Sequence, residues 1–210
     1  SLAAACGGAR SPSSGAARSS SAPVVLVSID TLRADRLPAY GYKGVETPAI
    51  ERLQRDAILF ENAYSHSPLT FPSHASLLTG LLPPEHGVRN NIGYRLDAKH
   101  ETLASVLRGR GYATGAAVSA FVLRRATGLD QGFATYADEM PDPGGSPFLY
   151  YPERSGEQVA AAAARWLDAQ RQGSVFVWVH LFDPHVPYRP PEPERSQHAS
   201  PYEGEIAYAD

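Results

Sequence analysis

Three segments of this 210-residue chain place polar side chains where an apolar run gives out, and their types suit chemistry on a charged group. Asp30 directly follows Val24-Val25-Leu26-Val27-Ser28-Ile29. An ionised carboxylate there is either a cation ligand or a cap on the following turn, and spacing alone leaves both open. Thr70 lies in Ser67-Pro68-Leu69-Thr70-Phe71-Pro72-Ser73-His74. With Pro72 as a first-turn proline, a helix is predicted over 73–79 and the Thr70 hydroxyl stands just ahead of its N-terminus. Backbone N–H groups and the helix dipole favour an anion there, although a plain capping role accounts for the same position. The third segment, Val175 to Tyr188, is a buried-strand pattern running into a loop that carries Asp183 and His185 between prolines. Alternation places His180 inside the fold, as a structural histidine with its hydrogen bonds satisfied. His185 is then the functional candidate of the two.

The elements that must position these residues read as strands alternating with helices. Residues 24–29, 58–60, 113–119 and 175–181 are strand candidates, two of them almost wholly apolar and β-branched, as in strands buried on both faces of a parallel sheet. Thr47-Pro48 opens a helix, 102–110 is a helix ended by Gly111, and the Ala-rich stretch 156–170 is the clearest helix. Residues 141–152 and 184–201 are Pro-rich and are expected to be loops, and 202–210 looks like a helix beginning. The fold class is therefore α/β with a mainly parallel sheet flanked by helices, in which ligands bind at the carboxyl ends of strands.

Composition narrows the chemistry. The chain carries 19 basic and 22 acidic residues, a formal charge of −3, which gives no electrostatic footprint for nucleic acid. No run approaches the roughly 18 apolar residues of a membrane helix. A single cysteine makes neither an internal disulfide nor a thiolate metal site, so any metal must sit on oxygen and nitrogen ligands. Residues 1–23 hold seven Ser, seven Ala and three Gly and are expected to form a flexible tail ahead of a domain at 24–210. Leu2-Ala3-Ala4-Ala5-Cys6-Gly7 resembles the end of a bacterial lipoprotein signal, with the Leu one place further from the Cys than usual. Either Cys6 is lipidated and tethers the domain outside the cytoplasm, in the periplasm or at the cell surface, or it is a chance cysteine in a low-complexity tail.

Together, "VSIDTLRADRLPAYGY", "TFPSHASLLTGLLPPEHGVRNN" and "HLFDPHVPY" resemble, in order and spacing, the alkaline phosphatase and sulfatase superfamily across residues 24–210. The resemblance implies an alkaline phosphatase-like fold and a divalent metal, calcium or zinc or manganese, held by Asp30 and Thr70. It implies that Thr70 is the nucleophile, with the helix after it stabilising the oxyanion. Asn91, 21 residues further on, would donate to a substrate oxygen, and His185 would donate to the bound group or protonate the leaving oxygen. His74 stands where a sulfatase has the Arg that steadies its aldehyde hydrate, which departs from the sulfatase pattern, and it is taken as a substrate-binding candidate. The remaining metal ligands are expected beyond Asp210, which would leave a truncated domain, inactive alone.

The chain also departs from a standard sulfatase. Thr70 replaces the Cys or Ser that becomes formylglycine, and oxidising a secondary alcohol gives a ketone, so no formylglycine is expected. The Gly-Lys-Trp-His segment is missing, with "YATGAAVSAFVLRR" in the corresponding region, and Thr31 follows Asp30 in place of a second Asp. Thr is the nucleophile of the related phosphodiesterases and of phosphoethanolamine and phosphoglycerol transferases. The expectation is a metal-dependent hydrolase of phosphate mono- or diesters, or of sulfate esters, acting on a small-molecule, glycan or lipid ester. A transferase and a catalytically inactive binding domain are the alternatives.

Overall fold

The computed structural model describes residues 22–141, 152–170 and 173–210. Its centre is a sheet of parallel strands in the order β1-β4-β2-β3: β1 is Val24–Ile29, β2 Ala113–Val118, β3 Thr135–Ala137 and β4 Val175–Leu181. The helices are α1 (Pro48–Gln54), α2 (Thr70–Thr79), α3 (Pro83–His86), α4 (Leu103–Gly109), α5 (Gly156–Ala169), α6 (Glu194–Gln197) and α7 (Pro201–Ala209). β4 lies between β1 and β2, so six of its seven residues are buried and its sequence shows the near-continuous apolar run of a two-faced strand.

Because successive side chains alternate, the register sorts the sheet into two faces. Leu26 is opposite Trp178, and Ser28 and Val118 are both opposite His180. That face packs against α2 and α4, with Phe71, Leu78, Val88, Leu123, Phe176 and Trp178 in one core, where each fully buried large side chain contributes about 2–3 kcal/mol. The other face carries Ala117, Val177 and Leu181 against Val159 and Ala163 of α5. Helix and sheet meet closely at Gly115, where a Cβ would lie 2.6 Å from the Trp166 ring. The cover stops short of β1, and Val25 and Val27 remain about half exposed.

Capping explains two helix starts. Ser155 and Gln158 exchange side chain-to-backbone bonds of 3.3 Å at the head of α5. At α1, Thr47 makes no side-chain cap, and the carboxylate of Asp210 accepts from the N–H groups of Ala49 and Ile50, both at 2.8 Å. The end of α7 thereby closes the start of α1.

Four expectations change. Residues 58–60 form no strand; Ile58, Leu59 and Phe60 are exposed, since three apolar residues without a neighbouring strand have nothing to pair with. β3 escapes sequence reading because its three residues include only one buried side chain, Tyr136. α2 begins at Thr70 and not at 73, so Pro72 does lie in its first turn but Thr70 is the first helical residue and not a residue ahead of the helix. The loop at 184–201 contains the short helix α6, and α7 starts inside it at Pro201. The tail with Cys6 and most of the Pro-rich stretch 141–152 lie outside the described residues.

Candidate active site at the carboxyl end of the sheet

β1 ends at Ile29, and the Asp30 N–H still pairs with the Leu181 carbonyl of β4 at 2.9 Å. The chain then turns sharply, with Thr31 at φ +53°, a left-handed conformation rare for a β-branched residue. The turn is pinned from two sides. The Thr31 hydroxyl donates to the Pro184 carbonyl, and Tyr202 Oη donates to the Thr31 carbonyl (2.7 Å) while accepting from the Arg33 N–H (3.0 Å). This aims the Asp30 carboxylate at the start of α2, where Thr70 Oγ1 donates to Asp30 Oδ2 at 2.8 Å. Two residues 40 apart in sequence thus meet. Thr70 is the first helical residue, and its hydroxyl serves Asp30 and not the helix, which rules out the plain capping role.

Burial pushes the Asp30 carboxyl up, but the ring of His180, the Thr70 hydroxyl and the nearby His74 outweigh it and hold the group below its ordinary value. Asp30 is therefore anionic at neutral pH and a weak base. That suits a cation ligand better than a general base for Thr70.

Behind this pair runs a buried hydrogen-bonded row. Trp178 Nε1–H donates to Ser28 Oγ (3.0 Å), Ser28 Oγ contacts His74 Nε2 (3.1 Å), and His74 Nδ1 contacts the Thr70 carbonyl (2.7 Å). A carbonyl only accepts, so the His74 proton is on Nδ1 and Nε2 accepts from Ser28. Burial, reinforced by His180, lowers the His74 pKa to about 4. The ring is neutral with both nitrogens engaged, so His74 braces α2 against β1 and has no free donor for an anionic substrate. This corrects its assignment to substrate binding.

Asn91 Oδ1 accepts from the Phe71 N–H at 2.8 Å, which leaves the Asn91 amide N–H groups to donate. The loop carrying Asn91 is anchored by His86: its Nδ1 accepts from the Val88 N–H (3.1 Å) and its Nε2–H donates to Ser76 Oγ of α2 (3.0 Å). Helix α2 offers fewer oxyanion donors than expected. The Phe71 N–H is taken by Asn91, Pro72 has no N–H, and the Ser73 N–H donates to the Leu69 carbonyl (3.1 Å). Thr70's own N–H and the Asn91 amide remain.

His185 stacks on Phe182, with centroids 4.1 Å apart, and its Nδ1–H donates to the Val186 carbonyl at 2.7 Å. In the neutral ring Nε2 is then an acceptor, and donating from it requires the imidazolium. Thr70, Asn91, Phe121, Glu153, Phe182 and His185 line one cavity of about 210 Å³. A second recess, of about 300 Å³, is bordered by Asp30, Thr31, Ser65, Ser73 and His74, with Thr70 on both. Asp30 and Thr70 supply an anionic and a hydroxyl oxygen that suit a hard divalent cation. Among the described residues no group of three or more His, Cys, Asp or Glu gathers to hold a metal.

Sequence reading missed Ser28 and Glu153, and took His180 for a satisfied structural histidine. Alternation placed His180 inside, as the structure shows, but it is not satisfied: Nδ1 accepts weakly from the Ser119 N–H (3.4 Å) and the buried Nε2 has no hydrogen-bond partner. The strand register, which puts His180 between Ser28 and Val118, is what links it to Asp30.

A family model described as Sulfatase matches residues 23–210. The chain belongs to the sulfatase family. It lies in the alkaline phosphatase and sulfatase superfamily, and the sulfatase domain shows that superfamily's parallel sheet flanked by helices. It is 34% identical over 100 residues to the steryl-sulfatase of Mus musculus, covering 43% of this chain and 16% of that protein. It superposes on the phosphonate monoester hydrolase of Agrobacterium radiobacter with a TM-score of 0.64 and 26% identity, over 83% of this chain and 43% of that one. It superposes on Ps i-CgsB, solved in complex with k-i-k-neocarrahexaose, with a TM-score of 0.73 and 17% identity, over 90% of this chain and 52% of that one. The sulfatase domain thus spans about half of the solved chains, and its matched stretch about a sixth of the steryl-sulfatase.

Proposed function

We propose that this chain carries the nucleophile of a metal-dependent ester hydrolase that acts through Thr70, with phosphate mono- or diesters preferred. The observation that carries the reading is the 2.8 Å hydrogen bond from Thr70 Oγ1 to an anionic Asp30 at the mouth of two recesses. Asp30 and the Thr70 oxygen would hold the divalent cation, calcium or zinc or manganese, with further ligands from elsewhere in the protein. Such a cation lowers the pKa of a bound hydroxyl and spreads charge from the oxygens of the group being transferred.

The chain's own residues do the rest. Thr70 Oγ1 faces the ester group, Thr70 N–H and the Asn91 amide donate to its oxygens, and the positive end of α2 favours the anion. The organic part lies in the cavity walled by Phe121, Glu153 and Phe182, where His185, as the imidazolium, protonates the leaving oxygen from Nε2. Water then releases the group from Thr70, or an acceptor alcohol does so in a transferase.

Sulfate esters are the second reading, favoured by the family match and by relatives such as steryl-sulfatase. A Thr cannot yield the aldehyde hydrate of a formylglycine enzyme, and this supports phosphoryl transfer as the preferred reaction. A glycan ester is the first candidate for the substrate, because a structural neighbour was solved with a neocarrahexaose. The test is kcat/KM of the full-length protein on one aryl alcohol esterified as phosphate, phosphodiester and sulfate. Phosphate or phosphodiester turnover above sulfate turnover supports the reading. Sulfate alone being cleaved refutes it, and no cleavage of any ester favours a binding domain.

A further inference from the structure

His180 lies at the centre of the sheet, wholly buried, between Ser28 of β1 and Val118 of β2. Its tautomer follows from its neighbours. Ser119 presents an N–H to Nδ1, so Nδ1 accepts and the proton sits on Nε2. That Nε2–H is buried without a hydrogen-bond partner, and a carboxylate oxygen, Asp30 Oδ2, lies 3.7 Å away. This is too long for a hydrogen bond, yet a small rotation of the carboxylate closes it. The ring cannot retreat, because His74 meets it edge-on with centroids 4.8 Å apart and Trp178 stands at 6.2 Å. Buried N–H groups without a partner are rare in folded proteins and call for an explanation.

We propose that His180 is a positioning residue for Asp30: its Nε2–H takes over Asp30 Oδ2 when the Thr70 hydroxyl turns from that oxygen toward a substrate or cation. In the resting arrangement Thr70 donates to Oδ2 at 2.8 Å, and the His180 ring acts on that oxygen only from 3.7 Å. Once Thr70 is engaged elsewhere, Oδ2 would be an anionic oxygen without a donor, and the His180 N–H is the donor placed to satisfy it. The ring thereby fixes which way the carboxylate faces in the reacting state, as an outer partner fixes a metal ligand.

This rests on the reading of Asp30 as a cation ligand, and two amide variants separate the ring nitrogens. An Asn side chain reaches the place of Nδ1 and keeps an acceptor for Ser119; a Gln reaches the place of Nε2 and keeps a donor for Asp30. Titrating the full-length protein calorimetrically with Mn²⁺, Ca²⁺ or Zn²⁺ alone, we expect His180→Asn to weaken binding about 10–100-fold and His180→Gln to stay within about threefold. Equal affinity in His180→Asn and wild type overturns the proposal, as does equal weakening in both variants, which is the mark of a packing role. Wild-type protein that binds no divalent cation refutes the cation reading itself and takes the proposal with it. A metal-free readout leaves His180 intact: in Thr70→Val, which removes the hydroxyl at nearly constant volume, the His180 Nε2–H proton resonance moves downfield as it closes on Oδ2. An unmoved resonance overturns the proposal.

Discussion

Ser28→Ala is the substitution whose cost the buried row behind the site sets most directly. The Ser28 hydroxyl does two things at once. It accepts from Trp178 Nε1–H at 3.0 Å and donates to His74 Nε2 at 3.1 Å. Trp178 is fully buried and His74 is 6% exposed, so neither ring nitrogen reaches bulk water freely, although Ser28 itself is half-buried. Removing one oxygen leaves one buried donor and one buried acceptor without partners, at about 1–3 kcal/mol each. Allowing for relaxation, the loss is roughly 2–4 kcal/mol, and each kcal/mol moves the midpoint of a domain this size by about 2–4 °C. The assay is urea and thermal denaturation beside Val27→Ala, whose side chain is 53% exposed on the opposite face and whose loss should be small. In a Trp178→Phe background, where the donor is already gone, Ser28→Ala should cost less by the share due to the indole. A loss below about 0.5 kcal/mol in Ser28→Ala, within the range of ordinary surface changes, would refute the claim that this row is a satisfied buried network.

Other consequences are equally direct. Asn91→Ala removes the donor proposed for the transferred group and the acceptor for the Phe71 N–H, so kcat on an aryl phosphate ester should fall about 10²–10³-fold; an unchanged kcat would remove Asn91 from the site. Glu205 of α7 is 3% exposed; its Oε1 accepts from the Arg189 N–H and its Oε2 has no hydrogen-bond partner. Burial raises its pKa from 4.5 to about 7, against the Arg189 N–H and with help from Asp183 and Glu153. Between those values the folded protein keeps a proton that the unfolded chain has lost. The stability it contributes is whole below pH 4.5 and disappears as the pH rises through about 7. Glu205→Gln should therefore raise the urea midpoint at pH 8 and leave it unchanged at pH 4.5, and the reverse pattern would show the carboxylate to be stabilising.

Much of the sheet is legible in the sequence because its strands are long and two-faced. β1 and β4 declare themselves by unbroken apolar runs, and α5 by its alanines between Ser155 and Gln170. Short elements carry no such signal, as β3 and residues 58–60 show in opposite directions. The site was partly legible for a different reason. Asp30 and Thr70 are candidates because each stands at a strand end or beside a helix start, their roles follow only from the family resemblance, and the fold brings them within 2.8 Å. Which buried polar residue stands behind them is a matter of register, and single-strand alternation carries none. Hence His180 reads as a satisfied core histidine until β1 is laid beside β4. His74 reads as a substrate group until Ser28 and the Thr70 carbonyl are seen to occupy both its nitrogens.

The central claim is that Thr70 is the atom to which the transferred group becomes attached. It is tested most directly by acid-quenching the full-length protein during turnover of an aryl phosphate ester and mapping the modified peptide by mass spectrometry. A phosphoryl group on Thr70 is the predicted result; a phosphoryl group on any other residue contradicts the account.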